Sequence, residues 1–263
     1  MPVTDEALLV AAAREAGAIA MRYFKNNPDV THKPGGAGPV TEADLAVNAM
    51  LAAELRAARP DYGWLSEESE DTDARLDTRR QLVVDPIDGT RAFIEGGKDW
   101  SHALGVVENG RVIAAAVYLP VRDLMFAASL GGGATANGVP IASTQAGMNN
   151  ATVLGTKPNF LPHHWQGGAV PPIKRAFRSS LAYRLCLVGQ GRFDGMMTLR
   201  PSWEWDIAAG ALIATEAGAT VSDQHGNALQ FNNQHPQVPG VMAAGAQLHR
   251  ALIQRLEPQP TTP

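Results

Sequence analysis

Three short carboxylate clusters have residue types and spacings capable of chemistry: Ser66-Glu67-Glu68-Ser69, Asp85-Pro86-Ile87-Asp88-Gly89-Thr90-Arg91 and Trp205-Asp206-Ile207-Ala208-Ala209-Gly210. Each stands at the end of an apolar segment, where a strand or helix terminus projects side chains into a cleft. In the second cluster Pro86 stiffens the chain and brings Asp85 and Asp88 within one turn of each other, while Gly89 lets the backbone come close to a ligand. The amides of Gly89 and Thr90 then open a short helix, whose N-terminus favours an oxyanion such as phosphate. Carboxylates beside such amides would repel a phosphate unless a cation lay between them. Oxygen-only ligands select a hard cation, and Mg2+ accepts a site completed by water and substrate oxygens. The chemistry expected is metal-assisted phosphoryl transfer to water. Taken singly, Asp-Pro and Asp-Gly form turns and Glu-Glu is a solvated face; together the clusters point to a site.

These clusters hang on a recognisable set of elements. Thr4 N-caps a helix with Asp5 and Glu6 in its first turn, and Leu8, Leu9, Ala12, Ala16, Ile19, Ala20 and Phe24 give it one apolar face. Residues 31–40, rich in Pro and Gly, are expected to form a mobile loop that contains Lys33. Thr41 caps a second helix facing inward through Val47, Met50, Leu51 and Leu55. Gln81–Asp85 is a short buried strand ending on a carboxylate, and residues 101–108 and 111–119 are strands joined by an Asn109-Gly110 turn, with Met125–Ser129 as a third. Beyond them, Thr152–Gly155 is expected as a strand, residues 171–180 as a helix and Leu185–Val188 as a strand. Ile207–Ala217 is expected as a helix closed by Gly218, Val241–Ala244 as a strand and Leu248–Leu256 as a final helix. We divide the chain into an N-terminal α+β half (1–145) with most of the carboxylates, a C-terminal α/β half (146–257) packed against it as one unit, and a flexible tail (258–263).

Of the 263 residues 45% are hydrophobic, enough for a sizeable core. The 22 Lys and Arg against 26 Asp and Glu give a net charge of −4, without the basic excess typical of nucleic-acid binding. A lone cysteine, Cys186, excludes an intrachain disulfide and suits a reducing compartment. No apolar run reaches membrane-spanning length and no secretory signal opens the chain. The expectation is a cytoplasmic protein that binds neither nucleic acid nor membrane. No H-x-x-x-H or Cys cluster supports zinc, and no G-x-S-x-G elbow supports a serine hydrolase.

The segments Asp85–Thr90, Trp205–Gly210 and Glu67-Glu68-Ser69 resemble, in order and spacing, the signatures of the inositol monophosphatase superfamily. The likeness extends to Thr41–Asp44, to Val221-Ser222-Asp223 with Gly226, and to Gly133-Ala134 with Asn137-Gly138, so it spans nearly the whole chain. It implies an α/β (α+β) fold arranged as a layered αβαβα sandwich, lithium sensitivity, a homodimer, and Mg2+ as cofactor, two or three ions per site. It implies an enzyme, a phosphoric monoester hydrolase that attacks a small soluble phosphate ester with a metal-activated water. Residue by residue, Glu67, Asp85 and the carbonyl of Ile87 would hold the first metal, and Asp85, Asp88 and Asp206 the second. Asp44 and Thr90, with Glu67, would orient and activate the water, and the Gly89 and Thr90 amides would bind phosphate. Lys33 would approach the phosphate as its loop closes.

Below this level the resemblances divide. Inositol-preferring members tend to carry an acidic residue seven positions before the Trp-Asp aspartate, where this chain has Leu199. The segment Leu199–Asp206, and Ser179-Ser180-Leu181 ahead of Leu185–Val188, look more like the 3'(2'),5'-bisphosphate nucleotidases, in which Arg184 or Arg200 would meet a second phosphate. Asp85–Gly96 instead resembles the histidinol-phosphatase branch. Inositol monophosphate or a bisphosphate nucleotide is the expected substrate. A histidinol-phosphate phosphatase, a sugar bisphosphatase and a regulatory binding protein are the alternatives. Asp88→Asn is expected to lower turnover by orders of magnitude while leaving the fold intact, because it removes a metal ligand and no core volume.

Overall fold

Thr4 accepts a hydrogen bond from the Ala7 amide (3.2 Å) and opens α1, Asp5–Tyr23. Thr41 caps α2, Glu42–Ala58, with a reciprocal box: its hydroxyl accepts from the Ala43 and Asp44 amides, while Asp44 accepts from the Thr41 amide. The structure is a computed structural model and describes residues 3–33 and 38–257. Residues 34–37 of the expected loop, and the tail 258–263, lie outside the described residues.

The remainder of the loop is more regular than its composition suggests. Val30–His32 (β1) and Pro39–Thr41 (β2) pair antiparallel, so Lys33 stands at the end of a strand. β3 (Gly63–Ser66) and β4 (Arg80–Asp88) pair in parallel, and an antiparallel meander follows through β5 (Ser101–Glu108), β6 (Arg111–Leu119), β7 (Leu124–Ser129), β8 (Gly133–Ala136) and β9 (Val139–Pro140). Together they make one seven-stranded sheet in sequential order. A short helix, α3 (Thr90–Ile94), follows β4.

The period of two along these strands sorts their side chains onto two faces. Leu82, Val84, Leu104, Val106, Ala114 and Ala116 pack with α1 and α2, whereas Val83, Ala103, Val107, Ala115 and Val117 face the other way. Against that second face lie α4 (Leu181–Gly189) and α5 (Glu204–Glu216). Beyond them is a five-stranded mixed sheet in the order β11 (Lys174–Ala176), β10 (Thr152–Leu154), β12 (Gly195–Thr198), β16 (Val241–Ala244), β14 (Thr220–Ser222). The pair β13 (Ser202–Trp203) and β15 (Gln237–Val238) braces the start of α5. α6 (Ala246–Ile253) covers the outer face of the five-stranded sheet through Leu248 and Leu252. The layers therefore run helix, sheet, helix, sheet, helix, in a mixed α/β fold.

Two elements differ from the sequence expectation. Residues 171–180 form no helix; Lys174–Ala176 is an edge strand parallel to β10. Residues Leu185–Val188 lie in the second half of a helix, α4, all nine residues of which are buried between two sheets. A helix buried all round carries no amphipathic period, and a four-residue apolar run then looks like a strand. α4 and α5 cross so closely that a Cβ on Gly210 would stand 2.7 Å from Leu185 Cβ and 3.0 Å from the Ala182 carbonyl, which is why glycine occupies that position.

Candidate metal centre

Asp85 and Asp88 are three residues apart, so an unbroken strand would send them to opposite faces of the sheet. The register shows what prevents this: Asp85 pairs with Ala103 and Asp88 with Ser101, so Pro86 and Ile87 together oppose the single residue His102. This β-bulge inverts the parity. Ile87 turns toward α1 and α2, and Asp88 turns with Asp85 toward α4 and α5. Gly89 then adopts a left-handed φ of 99°, with Asp99 O only 3.2 Å from where a Cβ would lie, and α3 begins at Thr90.

Asp206 enters from the first turn of α5. Oxygens of Asp85, Asp88 and Asp206 lie within 4.8 Å of one another. Asp85 is 1% exposed, and neither of its carboxylate oxygens has a hydrogen-bond partner among the described residues. Burial, then Glu67, Asp88 and Asp206, push its pKa well above the carboxylate range. Burial raises Asp206 too, reinforced by Asp88 and Glu67 and opposed first by the neighbouring Asp85 carboxyl, which is close enough to share a proton with it, and then by Arg200. A buried, unpartnered carboxyl among like charges is unfavourable unless a cation or a proton compensates it. The all-oxygen donor set suits a hard divalent cation.

Asp88 is held differently. Its Oδ2 accepts from the Ser180 hydroxyl (2.6 Å) and the Ala182 amide (2.7 Å), and its Oδ1 from the Leu181 amide (3.1 Å). The carboxylate therefore sits on the N-terminus of α4, whose capping residue is Ser180. Ser101 Oγ lies 3.0 Å behind Ser180 Oγ. Burial raises the Asp88 pKa to about 6 against these donors. This support is not legible in the sequence, where Leu185–Val188 looks like a strand and residues 171–180 like the helix; Ser180 ahead of the apolar run is the available capping signal.

Glu67 lies outside the close trio, near enough to raise Asp85. Its Oε1 accepts from the Lys33 ammonium (2.8 Å), which also donates to Glu68 Oε1 (2.6 Å). Glu68, part of the first carboxylate cluster but given no role of its own by the sequence, is pushed up to about 7 by burial against the pull of Lys33. Asp44 is buried; its Oδ2 accepts from the Thr41 amide and hydroxyl (2.8 and 2.6 Å), and its Oδ1 is 3.3 Å from the Thr90 hydroxyl. That hydroxyl also lies 3.1 Å from the Ile87 carbonyl. Burial raises the Asp44 pKa. Asp44, Thr90 and the Ile87 carbonyl therefore form one contiguous group beside Asp85.

The two arginines are placed unequally. Arg184 is buried, with its pKa lowered by burial to about 10; its Nε and Nη2 donate to the carbonyls of Arg178 (2.6 Å) and Ser179 (3.2 Å), and its guanidinium lies over Phe177. Arg200 is exposed, and its charge is felt at Asp206. Trp203 and Trp205 stack at 4.7 Å with an interplanar angle of 8° at the start of α5.

The sequence profile of the inositol monophosphatase family matches residues 3–260. The chain belongs to the inositol monophosphatase family. An inositol-1-monophosphatase of Mesorhizobium japonicum is 29% identical over 95% of each chain. A 3'-phosphoadenosine 5'-phosphate phosphatase of Mycobacterium leprae is 31% identical over 95% of this chain and 93% of its own. The crystal structure of the extragenic suppressor protein suhB from Bartonella henselae superposes with a TM-score of 0.79 at 27% identity, covering 94% of this chain and 96% of its own. Membership makes this chain a phosphomonoester hydrolase of a metal-dependent family, and the Asp85, Asp88 and Asp206 cluster is consistent with metal binding. Among the described residues no helix is long and apolar enough to cross a membrane.

Proposed function

We propose that the protein is a Mg2+-dependent phosphatase of small soluble phosphate monoesters, and that its preferred substrate is a 3',5'-bisphosphorylated nucleotide. The observation that carries the metal assignment is the buried Asp85 carboxylate, without a hydrogen-bond partner among the described residues and facing two further aspartates. On this proposal Asp85, Asp88 and Asp206 hold one Mg2+, and Glu67, Asp85 and the Ile87 carbonyl another, a third ion being weaker. Bound Mg2+ supplies charge neutralisation at the phosphoryl oxygens and lowers the pKa of water. The chain's own groups do the rest. The Gly89 and Thr90 amides orient the phosphate. Asp44, with its pKa raised, and Glu67 would position the attacking water through the Thr90 hydroxyl and take its proton as the new P–O bond forms, while the ester P–O bond breaks and the leaving alkoxide takes a proton from a solvent water to depart as the alcohol. Lys33, now paired with Glu67 and Glu68, would be placed to turn toward the phosphate were Glu67 engaged as a metal ligand.

Leu199, apolar, stands where inositol-preferring relatives tend to carry an acid, and the exposed Arg200 beside it is free to meet a second phosphate. Arg184, engaged by carbonyls, acts in this proposal through the 177–180 segment that leads into α4. The name of the Mycobacterium leprae relative agrees with this substrate. Cytoplasmic location, a homodimer and lithium sensitivity belong to the same proposal, as does the division at residue 145, since the two halves supply one site.

Phosphate release from adenosine 3',5'-bisphosphate, inositol 1-phosphate and histidinol phosphate, measured side by side across a Mg2+ titration, tests it. The bisphosphate should give the highest kcat/KM. A higher value for either other ester would overturn the substrate, and no Mg2+-dependent release from any of them would overturn the metal-dependent phosphatase.

A further inference from the structure

His102 lies on the far side of the sheet from the carboxylates. Its neighbours of the same parity on β5, Leu104 and Val106, face α1 and α2, whereas Ser101 and Ala103 face α4 and α5. It is 0% exposed and is the one residue that opposes both bulge residues, Pro86 and Ile87. Its Nδ1 is hydrogen-bonded to the Pro86 carbonyl, and burial lowers its pKa to about 4, so the ring is neutral with its proton on Nδ1. Trp100 meets it edge-on at 5.6 Å, and Phe93 packs against Trp100 at 4.9 Å, which fixes the ring plane. The other nitrogen, Nε2, is buried with no partner among the described residues. A strand position facing an apolar layer would be more stable as valine or leucine unless the imidazole performed a task.

That task follows from the geometry. In a bulge the extra residue leaves the local hydrogen-bond ladder disrupted, so the chain there needs a partner from elsewhere. The Nδ1–H of His102 satisfies the Pro86 carbonyl and turns it toward the helical layer. The next carbonyl, that of Ile87, is thereby left facing Thr90, whose hydroxyl lies 3.1 Å from it and 3.3 Å from Asp44 Oδ1. We infer that His102 is a positioning residue that, from the opposite face of the sheet, locks the bulge that brings Asp85, the Ile87 carbonyl and Asp88 into a single metal-binding arrangement. His102 touches neither metal nor substrate. The inference rests on the metal assignment proposed above.

Two substitutions separate positioning from mere packing. In His102→Asn the side-chain amide can donate to Pro86 from nearly the place of Nδ1; His102→Val fills the strand position but donates nothing. Mn2+ binding to the metal-free proteins is read by calorimetry, with circular dichroism confirming the fold, and Mg2+ half-activation is measured alongside. His102→Val should bind Mn2+ roughly 10- to 100-fold more weakly, the range seen for groups that orient metal ligands without touching the metal. Its Mg2+ half-activation concentration should rise in parallel, while the substrate KM at saturating Mg2+ stays unchanged. His102→Asn should bind Mn2+ almost as wild type does. A folded His102→Val with wild-type Mn2+ affinity would overturn the inference. If the valine variant does not fold, a folded His102→Asn that has lost Mn2+ affinity would overturn it equally. Absence of Mn2+ binding by the wild type would remove the metal assignment itself, a distinguishable result.

Discussion

Asp85→Asn is expected to lower kcat/KM by about 10^3-fold or more, because metal-supplied charge stabilisation of the transition state is worth several kcal/mol. The same substitution should make the metal-free protein more stable at neutral pH. Neither Asp85 oxygen has a hydrogen-bond partner to lose among the described residues, and removing the charge relieves repulsion from Glu67, Asp88 and Asp206. The sign of the pH dependence follows from the raised pKa values. A carboxyl whose pKa is higher folded than unfolded binds more protons in the folded state, so its contribution is present at low pH and is lost as pH rises. For Asp88 the loss runs from the unfolded value of about 4 to the folded value of about 6. Asp85 and Asp206, both raised well above the carboxylate range, extend it to higher pH. Metal-free wild type should therefore lose thermal stability as pH rises through this range, and Asp85→Asn should lose less. Mg2+ should restore wild-type stability, more strongly at higher pH, and should leave the Tm of Asp85→Asn nearly unmoved. A wild-type Tm that rises with pH in chelator would contradict this electrostatic account.

Asp88→Asn should lose turnover to a similar extent, with the opposite effect on stability. The sequence alone suggests an intact fold, but Asp88 carries three hydrogen bonds from the N-terminus of α4. An amide NH2 in place of one oxygen would face N–H and O–H donors, leaving buried groups unpaired at a cost of about 1–3 kcal/mol each. Urea denaturation of the metal-free proteins should place the midpoint of Asp88→Asn below wild type and that of Asp85→Asn at or above it. Equal midpoints for the two variants would show that α4 does not depend on the Asp88 carboxylate.

The contrast between these aspartates marks where sequence stops being informative. The three acidic motifs, the Thr41 cap and the Asn109-Gly110 hairpin are local signals, and each appears in the structure where its residues stand. Asp85 and Asp88 were legible as partners, yet their spacing is the wrong parity for a strand, and only the register opposite His102 shows how they come to share a face. α4 was illegible as a helix because both its sides are buried. Ser180 and Leu181 reach Asp88 across more than ninety residues of chain, a contact that no local pattern encodes. The sequence places Lys33 in a loop that closes toward a phosphate, whereas Lys33 stands at the end of β1, paired with Glu67 and Glu68. That pairing sets one cation against two carboxylates of a single motif, which composition records only as part of a net −4.

The central claim is that Asp85, Asp88 and Asp206 converge to hold a divalent cation. The most direct measurement is a crystal structure of the protein grown with Mn2+, with anomalous differences collected at the manganese edge. The account predicts an anomalous peak bounded by oxygens of all three aspartates, with Asp88 still seated on the N-terminus of α4. A map from Mn2+-saturated crystals with no peak among these three carboxylates would contradict it.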